Sequence, residues 1–302
     1  MMEWNQLQKF MVVAKEEHFS RAAEMLNMTQ PSLSQTIKRL EEELGYPLFL
    51  RNGKKIRLNE SGRIFLQTVM QMNELMQNTR TQLEELNGRA HTNVSILFTT
   101  ASKLLPELLL YLKKRNPETQ YHIHQWQAEK EANEDDIQIL SSALGSIDKQ
   151  PEESDVLMTE KILLALPRNH ALLQKEIIRL SDLVQEEFIS LNEYWQLGKE
   201  IKEAMERVSF VPKATMIVDN PNMMRELLKA RLGIAFVPSV SWDAFAGDEI
   251  VLKPVEGVDL SRYIYLRTKP RKYLTREQKE CIQGIKEFFA SKQEAYKTKG
   301  EA

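Results

Sequence analysis

Residues 20–58 read SRAAEMLNMTQPSLSQTIKRLEEELGYPLFLRNGKKIRL, and the order of caps, apolar steps and turn residues in this stretch decides the fold of the first part of the chain. Ser20 is placed to cap a short helix through Leu26, with Ala22, Ala23 and Leu26 turned inward. Asn27 tolerates the left-handed backbone that stops a helix. Thr29 then caps a further helix, with Pro31 in its first turn, where amide donors are free in any case. Leu33, Ile37, Leu40 and Leu44 fall at i, i+4, i+7 and i+11 on one face, and Gly45 closes the run. Upstream, Trp4, Leu7, Phe10, Met11 and Ala14 recur at helical spacing. Downstream, strands at Leu48–Arg51 and Lys54–Leu58 flank Asn52-Gly53, a dipeptide favoured in two-residue hairpins.

The polar face of the helix after Thr29 carries Gln30, Ser32, Ser34, Gln35 and Lys38. Such groups reach base edges when a helix enters the major groove, and a good bidentate contact discriminates by about 1–3 kcal/mol. A solvated face explains the same residues in an isolated helix, but the hairpin beside it carries Arg51, Lys54, Lys55 and Arg57, a wing suited to phosphates. Residues 1–60 hold nine basic and eight acidic side chains, so the head is basic along this edge only. Glu41, Glu42 and Glu43 are expected to face away from DNA.

The run Ala22-Ala23 to Leu26, then Thr29-Gln30-Pro31-Ser32-Leu33-Ser34, Ile37, Leu40-Glu41, Leu44-Gly45, Leu48-Phe49, Arg51 and Leu58 closely resembles the LysR-type transcriptional regulators. The resemblance is dense to about residue 65. It implies a winged helix-turn-helix over residues 1–59, with Gln30, Pro31, Ser32, Ser34, Gln35 and Lys38 at the surface of double-stranded operator DNA. Arg21, Thr29 and the four wing cations complete the DNA-binding set.

Asn59 is placed to cap a long helix over Glu60–Leu86, within a linker at 60–88 that ends near Gly88. Phe65, Val69, Met72, Met76, Thr79, Leu83 and Leu86 alternate steps of four and three, a heptad seam that a two-fold partner would cover. A helix packed on its own chain is the alternative. In the family resembled here the corresponding helix pairs two subunits. The expectation is a homodimer, with further pairing to a homotetramer as the family's habit, on a pseudo-palindromic operator.

From Asn93 short strands alternate with helices: strands at 94–99, 121–126, 137–141, 161–166, 188–191, 214–218, 234–237 and 263–267, and helices at 104–115, 194–207, 221–232 and 275–290. This predicts α/β architecture with mostly parallel strands and helices on both faces. The resemblance implies a periplasmic-binding-protein-like (type 2) regulatory domain over 93–302. Its subdomain I comprises 93–163 and 268–302, its subdomain II comprises 164–267, and the crossings lie near 162–168 and 264–269. The fold class for the whole chain is α+β.

In such architecture ligands sit at the carboxyl ends of strands. Thr99, Thr100 and Ser102 occupy one such junction, Ser190 and Asn192 a second, and Asn220 (with Asp219, ahead of Pro221) a third. Each is equally the place of a plain helix cap. Convergence of the three on one cleft would make a site for a small anionic or polar metabolite effector, and the family precedent favours Thr100. The stretch Gln127–Asp135 is shorter and more charged than the family's usual connection, which implies a shortened or open cleft rim on that side and a departure from the usual effector geometry; Gln127 stands where a family contact is expected. The alternative is a ligand-free C-terminal scaffold for oligomerisation or protein contacts.

The rest of the sequence excludes more than it adds. At 302 residues the chain holds two or three compact units. Its net charge of −2 gives no overall basic character, its one cysteine, Cys281, suits a reducing cytosol, and no apolar run reaches the roughly 18 residues of a membrane span. Nucleophile-elbow, zinc-protease, CxxC and P-loop motifs are absent, so no enzyme and no cofactor is expected. His122 and His124 share one face of a strand, without a third ligand nearby. The expectation is a cytoplasmic bacterial regulator without membrane contact, with RNA polymerase as a possible partner.

Overall fold

The computed structural model describes residues 2–52, 55–88, 93–125, 137–144, 155–242, 247, 249–268 and 272–300, without the side chains of 51, 52, 55 and 297–300. Gly53, Lys54 and Gln127 thus lie outside the described residues, as do the side chains of Arg51 and Lys55. The chain divides into two compact units, Met1–Arg89 with Arg271–Tyr273, and Ala90–Pro270 with Leu274–Ala302.

The first unit contains α1 (Trp4–Glu16), α2 (Phe19–Met25), α3 (Gln30–Leu44), the hairpin strands β1 (Phe49–Asn52) and β2 (Lys55–Leu58), and α4 (Glu60–Leu86). The expected apolar positions converge: Phe10, Val13, Ala22, Leu33, Ile37, Leu40 and Val69 are fully buried together. The Phe10 ring lies 5.7 Å from Phe49 and 5.1 Å from Phe65. Each large side chain removed from water in this way contributes about 1.5–3 kcal/mol.

Two local expectations need correction. The N-cap of α2 is His18 and not Ser20, which lies inside the helix; His18 Nδ1 accepts the Arg21 N–H at 3.4 Å. The cause is Glu17, whose left-handed backbone (φ 46°) ends α1 early and leaves His18 extended. In the wing Asn52 pairs with Lys55, so β1 runs one residue further and β2 starts one residue later than expected. Phe49 and Ile56 are both drawn into the core, and that pins the register. Asn27 (φ 50°) and Gly45 (φ 76°) take the left-handed backbone as expected, and Asn59 Oδ1 caps α4 through the Gly62 N–H at 2.8 Å.

Gly62 seats the first turn of α4 against the wing. A β-carbon there would collide with the carbonyl oxygen of Leu48, a backbone atom that cannot step aside. Asn59 adds a second tie, its Nδ2 donating to the Pro47 carbonyl at 2.7 Å.

The second unit contains β3 (Asn93–Phe98), α5 (Leu105–Arg115), β4 (Gln120–His124), β5 (Ile137–Ala143), β6 (Val156–Pro167), β7 (Glu187–Leu191), α6 (Gln196–Arg207), β8 (Lys213–Val218), α7 (Pro221–Lys229), β9 (Ala235–Pro238), β10 (Ile250–Lys253), β11 (Ser261–Thr268) and α8 (Arg276–Gly300). Its main sheet runs β10-β6-β11-β5-β3-β4, with β9 also on β6. The β3–β4, β3–β5 and β7–β8 pairs are parallel, whereas β6 and β11 make four antiparallel pairings. The expectation of mostly parallel strands therefore fails at the centre of the sheet, because the two long crossing strands run against their neighbours. The sequence reading also lacked β10, a four-residue strand of Ile250–Lys253 held against β6.

Two cores define two lobes. Lobe I packs Ile96, Leu108, Ile137, Ile139, Ile264 and Ile285; lobe II packs Leu164, Phe188, Met205, Leu228, Ile234 and Leu260. Strand β6 joins them: residues 156–161 pair with β11, and 162–167 pair with β9 and β10. The first crossing is therefore at 161/162. The return is at Leu260–Ser261, several residues before the expected 264–269, because all of β11 pairs with the lobe I strand β5.

Candidate functional site

Helix α3 presents the polar set predicted for base reading. Gln30, Pro31, Ser32, Gln35 and Lys38 are exposed and Ser34 is half-buried, opposite the buried Leu33, Ile37 and Leu40. Thr29 stands at the N-cap position, exposed, but its side chain makes no capping bond. Lys38 lies 3.6 Å from Glu42 and Arg21 lies 3.7 Å from Glu16; Arg21 Nη2 also donates to the Glu16 carbonyl. Both pairs are surface contacts worth little, which DNA phosphates can outbid. On the wing Arg57 is exposed on β2, opposite Leu50.

Glu41 does not simply face away. Its carboxylate is half-buried and accepts the Leu48 and Phe49 N–H groups at 2.7 and 3.3 Å, fixing where the wing leaves α3. An acidic residue at the buried edge of α3, three before Leu44, was the available signal.

The linker seam divides between two uses. Phe65 and Val69 face the head's own core, and Val69 offers no surface at all. The remaining predicted positions are open: Met72, Met76, Leu83 and Leu86 are exposed, together with Ile64 and Leu75, which the four-three count passed over. Leu75 is 62 % exposed and Met76 57 %.

In the second unit Thr99 continues β3, its N–H and Oγ1 both donating to the Ile139 carbonyl, at 3.1 and 3.3 Å. Thr100 is 6 % exposed, and its Oγ1 has no hydrogen-bond partner among the described residues. Ala101 follows in the left-handed region (φ 53°), a costly conformation for alanine, before the turn at Ser102–Leu104. Lys103 Nζ donates to Asn222 Oδ1, joining the β3 junction to the N-terminus of α7.

The other two junctions are used differently. Asn220 caps α7, its Oδ1 accepting the Asn222 N–H at 2.7 Å. Asn192 Oδ1 accepts the Tyr194 N–H at 2.9 Å. Ser190 and Asn192 line a cavity of about 760 Å³ between α6 and β8, with Ile201, Met205, Phe210 and Ile217. Thr99, Thr100, Ser102 and Asn220 are not among its walls. Gly198 lets α6 approach the Leu191 and Asn192 carbonyls, which a β-carbon there would strike.

His122 is exposed and His124 half-buried on β4, and no group of three metal-ligating side chains occurs among the described residues. No described helix is long and apolar enough to cross a membrane.

Comparison with known proteins agrees with this division. Residues 4–63 match the model for bacterial regulatory helix-turn-helix proteins of the lysR family, and residues 88–290 match the LysR substrate binding domain. The regulator AlsR of Bacillus subtilis is 31 % identical over 249 residues, covering 79 % of this chain and 81 % of its own. The dual regulator GltC of the same organism is 27 % identical over 303 residues, covering 98 % of this chain and all of its own. A full-length OxyR variant from Pseudomonas aeruginosa superposes with a TM-score of 0.58 at 22 % identity, over 94 % of this chain and 95 % of that one. A reading head, a long helix and a two-lobed domain follow one another in the order these matches require, and the chain belongs to the LysR family of DNA-binding transcriptional regulators.

Proposed function

We propose that this regulator binds a dyad-symmetric operator as a dimer paired through α4, with α3 in the major groove and the wing on phosphates, under control of a small polar or anionic metabolite at the lobe cleft. LysR regulators bind operator DNA and form oligomers. The exposed stripe from Met72 to Leu86 supports pairing by α4, since an apolar helix face of that length is otherwise left in water. Tetramers and contact with RNA polymerase are compatible extensions of this arrangement.

One observation carries the effector reading: a buried hydroxyl without a partner among the described residues, Thr100 Oγ1, beside the strained Ala101 at the carboxyl end of β3. A polar group buried in this way costs about 1–3 kcal/mol unless something completes its hydrogen bonds. A ligand oxygen is suited to do so, with Lys103 next along the turn as a source of positive charge. Small molecules screened by thermal shift are expected to give a saturable stabilisation of about 2.7 kcal/mol at 100 times Kd. Thr100→Val should abolish most of that stabilisation. The second reading, a ligand-free scaffold, draws on the Lys103–Asn222 contact that already ties the two junctions; it would be supported if no metabolite stabilised either protein.

A further inference from the structure

At the two crossings the protein buries an ion cluster that neither DNA reading nor the Thr100 junction uses. Arg262, the second residue after the return, donates from Nε to Glu160 at 2.8 Å, from Nη1 to Glu200 at 3.1 Å, and from Nη2 to Ser241 Oγ at 3.1 Å. Glu160, just before the first crossing, also accepts the Val240 and Ser241 N–H groups and the Ser241 hydroxyl, at 3.1, 2.8 and 2.8 Å. Glu200 sits on α6 of lobe II and accepts the hydroxyl of Ser141, on β5 of lobe I, at 2.6 Å. All three charged side chains are at most 2 % exposed. Burial opposes the Arg262 charge, but the two carboxylates overcome it and raise its pKa.

The partners are unequal. Among the described residues Glu160 is met by five donor atoms, Arg262 Nη2 at 2.8 Å included, whereas Glu200 is met by two, and it brings a second carboxyl group to a single guanidinium. Buried ion pairs are rarely better than an apolar replacement, and an excess buried charge is worse. Around it, α6 rests on the end of β5 through polar contacts: Gln196 Nε2 reaches the Ser141 carbonyl at 3.5 Å and Arg207 Nη1 the Leu144 carbonyl at 2.9 Å. Such contacts exchange readily for water when surfaces part, as apolar ones do not.

We propose that Glu200 is a spring in the hinge: its surplus carboxyl group, held between the lobes by Ser141 and Arg262, biases them toward opening and so keeps closure conditional. The proposal rests on the reading that the two-lobed domain signals by changing lobe geometry. Glu200→Gln keeps an acceptor for Arg262 and removes the surplus charge; Ser141→Ala removes the lobe I donor and leaves the charge.

The test uses the full chain with nitroxides at Lys114→Cys on lobe I and Glu176→Cys on lobe II, both exposed positions; the buried Cys281 stays unlabelled. Labelled protein is diluted into unlabelled protein, and distances are read by double electron–electron resonance. With Glu200→Gln the distribution should narrow to one short population and the melting midpoint rise by roughly 4 °C; Ser141→Ala should shift the population to longer distances. Identical distributions in all three proteins would overturn the proposal. So would a lower melting midpoint and a broader distribution in Glu200→Gln, the behaviour of an ordinary buried ion pair. Operator binding, measured separately, distinguishes the underlying reading: lobe shifts with no change in operator affinity would remove the signalling role and leave the spring.

Discussion

Gln35 and Arg57 stand for two kinds of contact that one head must combine. An amide on an exposed face of α3 can make two hydrogen bonds to a base edge, whereas the exposed Arg57, on the proposed wing, would meet phosphate charge. Gln35→Ala is expected to weaken operator binding about tenfold and leave random-sequence binding nearly unchanged. Arg57→Ala should weaken both alike and lower the slope of log affinity against log salt by about one. Titrations on both DNAs at several salt concentrations check the pair; equal losses in Gln35→Ala would remove its reading role. The polar face of α3 was legible because surface residues answer only to solvent and ligand. Glu41 was not, since its task is set by the Leu48 and Phe49 amides, which fold back from elsewhere.

Among the elements, α4 shows how a periodic pattern can be right and yet serve two masters. The count from Phe65 to Leu86 found the helix and its cap, but one stripe of side chains meets different neighbours along its length. The first turns pack under Phe10; the later ones face outward. Leu75→Asp tests the outward part. Two leucines lost from a symmetric seam, at about 1.5–3 kcal/mol each, should weaken association roughly 100-fold or more by sedimentation, with helix content unchanged. A full-strength dimer would place the interface elsewhere. Strand β10 escaped notice for the opposite reason: four residues carry too little pattern, and only their partner β6 makes them a strand.

For the whole molecule, the order of head, helix and two lobes was legible because each piece has its own periodicity and its own core. What the sequence hid was the place where chain segments distant in number meet: the return crossing at Leu260–Ser261, and the cavity that Ser190 and Asn192 line with Phe210 and Ile217. On the proposed pairing through α4, two heads related by a two-fold axis would also constrain the DNA. Inserting about five base pairs between operator halves turns one half-site to the opposite face of the duplex. Affinity should then fall to that of a single half-site, and a further five should restore part of it. An operator indifferent to spacing would mean that each head binds alone.

The seating of Gly62 under Leu48 gives this geometry a mechanical sense. With no room for even a methyl group at the joint, the first turn of α4 is seated tightly on the head, and on the proposed pairing α4 would act as a lever arm. Its 27 residues span about 40 Å. A tilt of about five degrees at the far end therefore carries the recognition surface through roughly 3.5 Å, about one base-pair step, without bending any hinge of its own. An effector that acted as proposed would need to supply only an angle, and the length of the helix would convert it into a change of register on DNA.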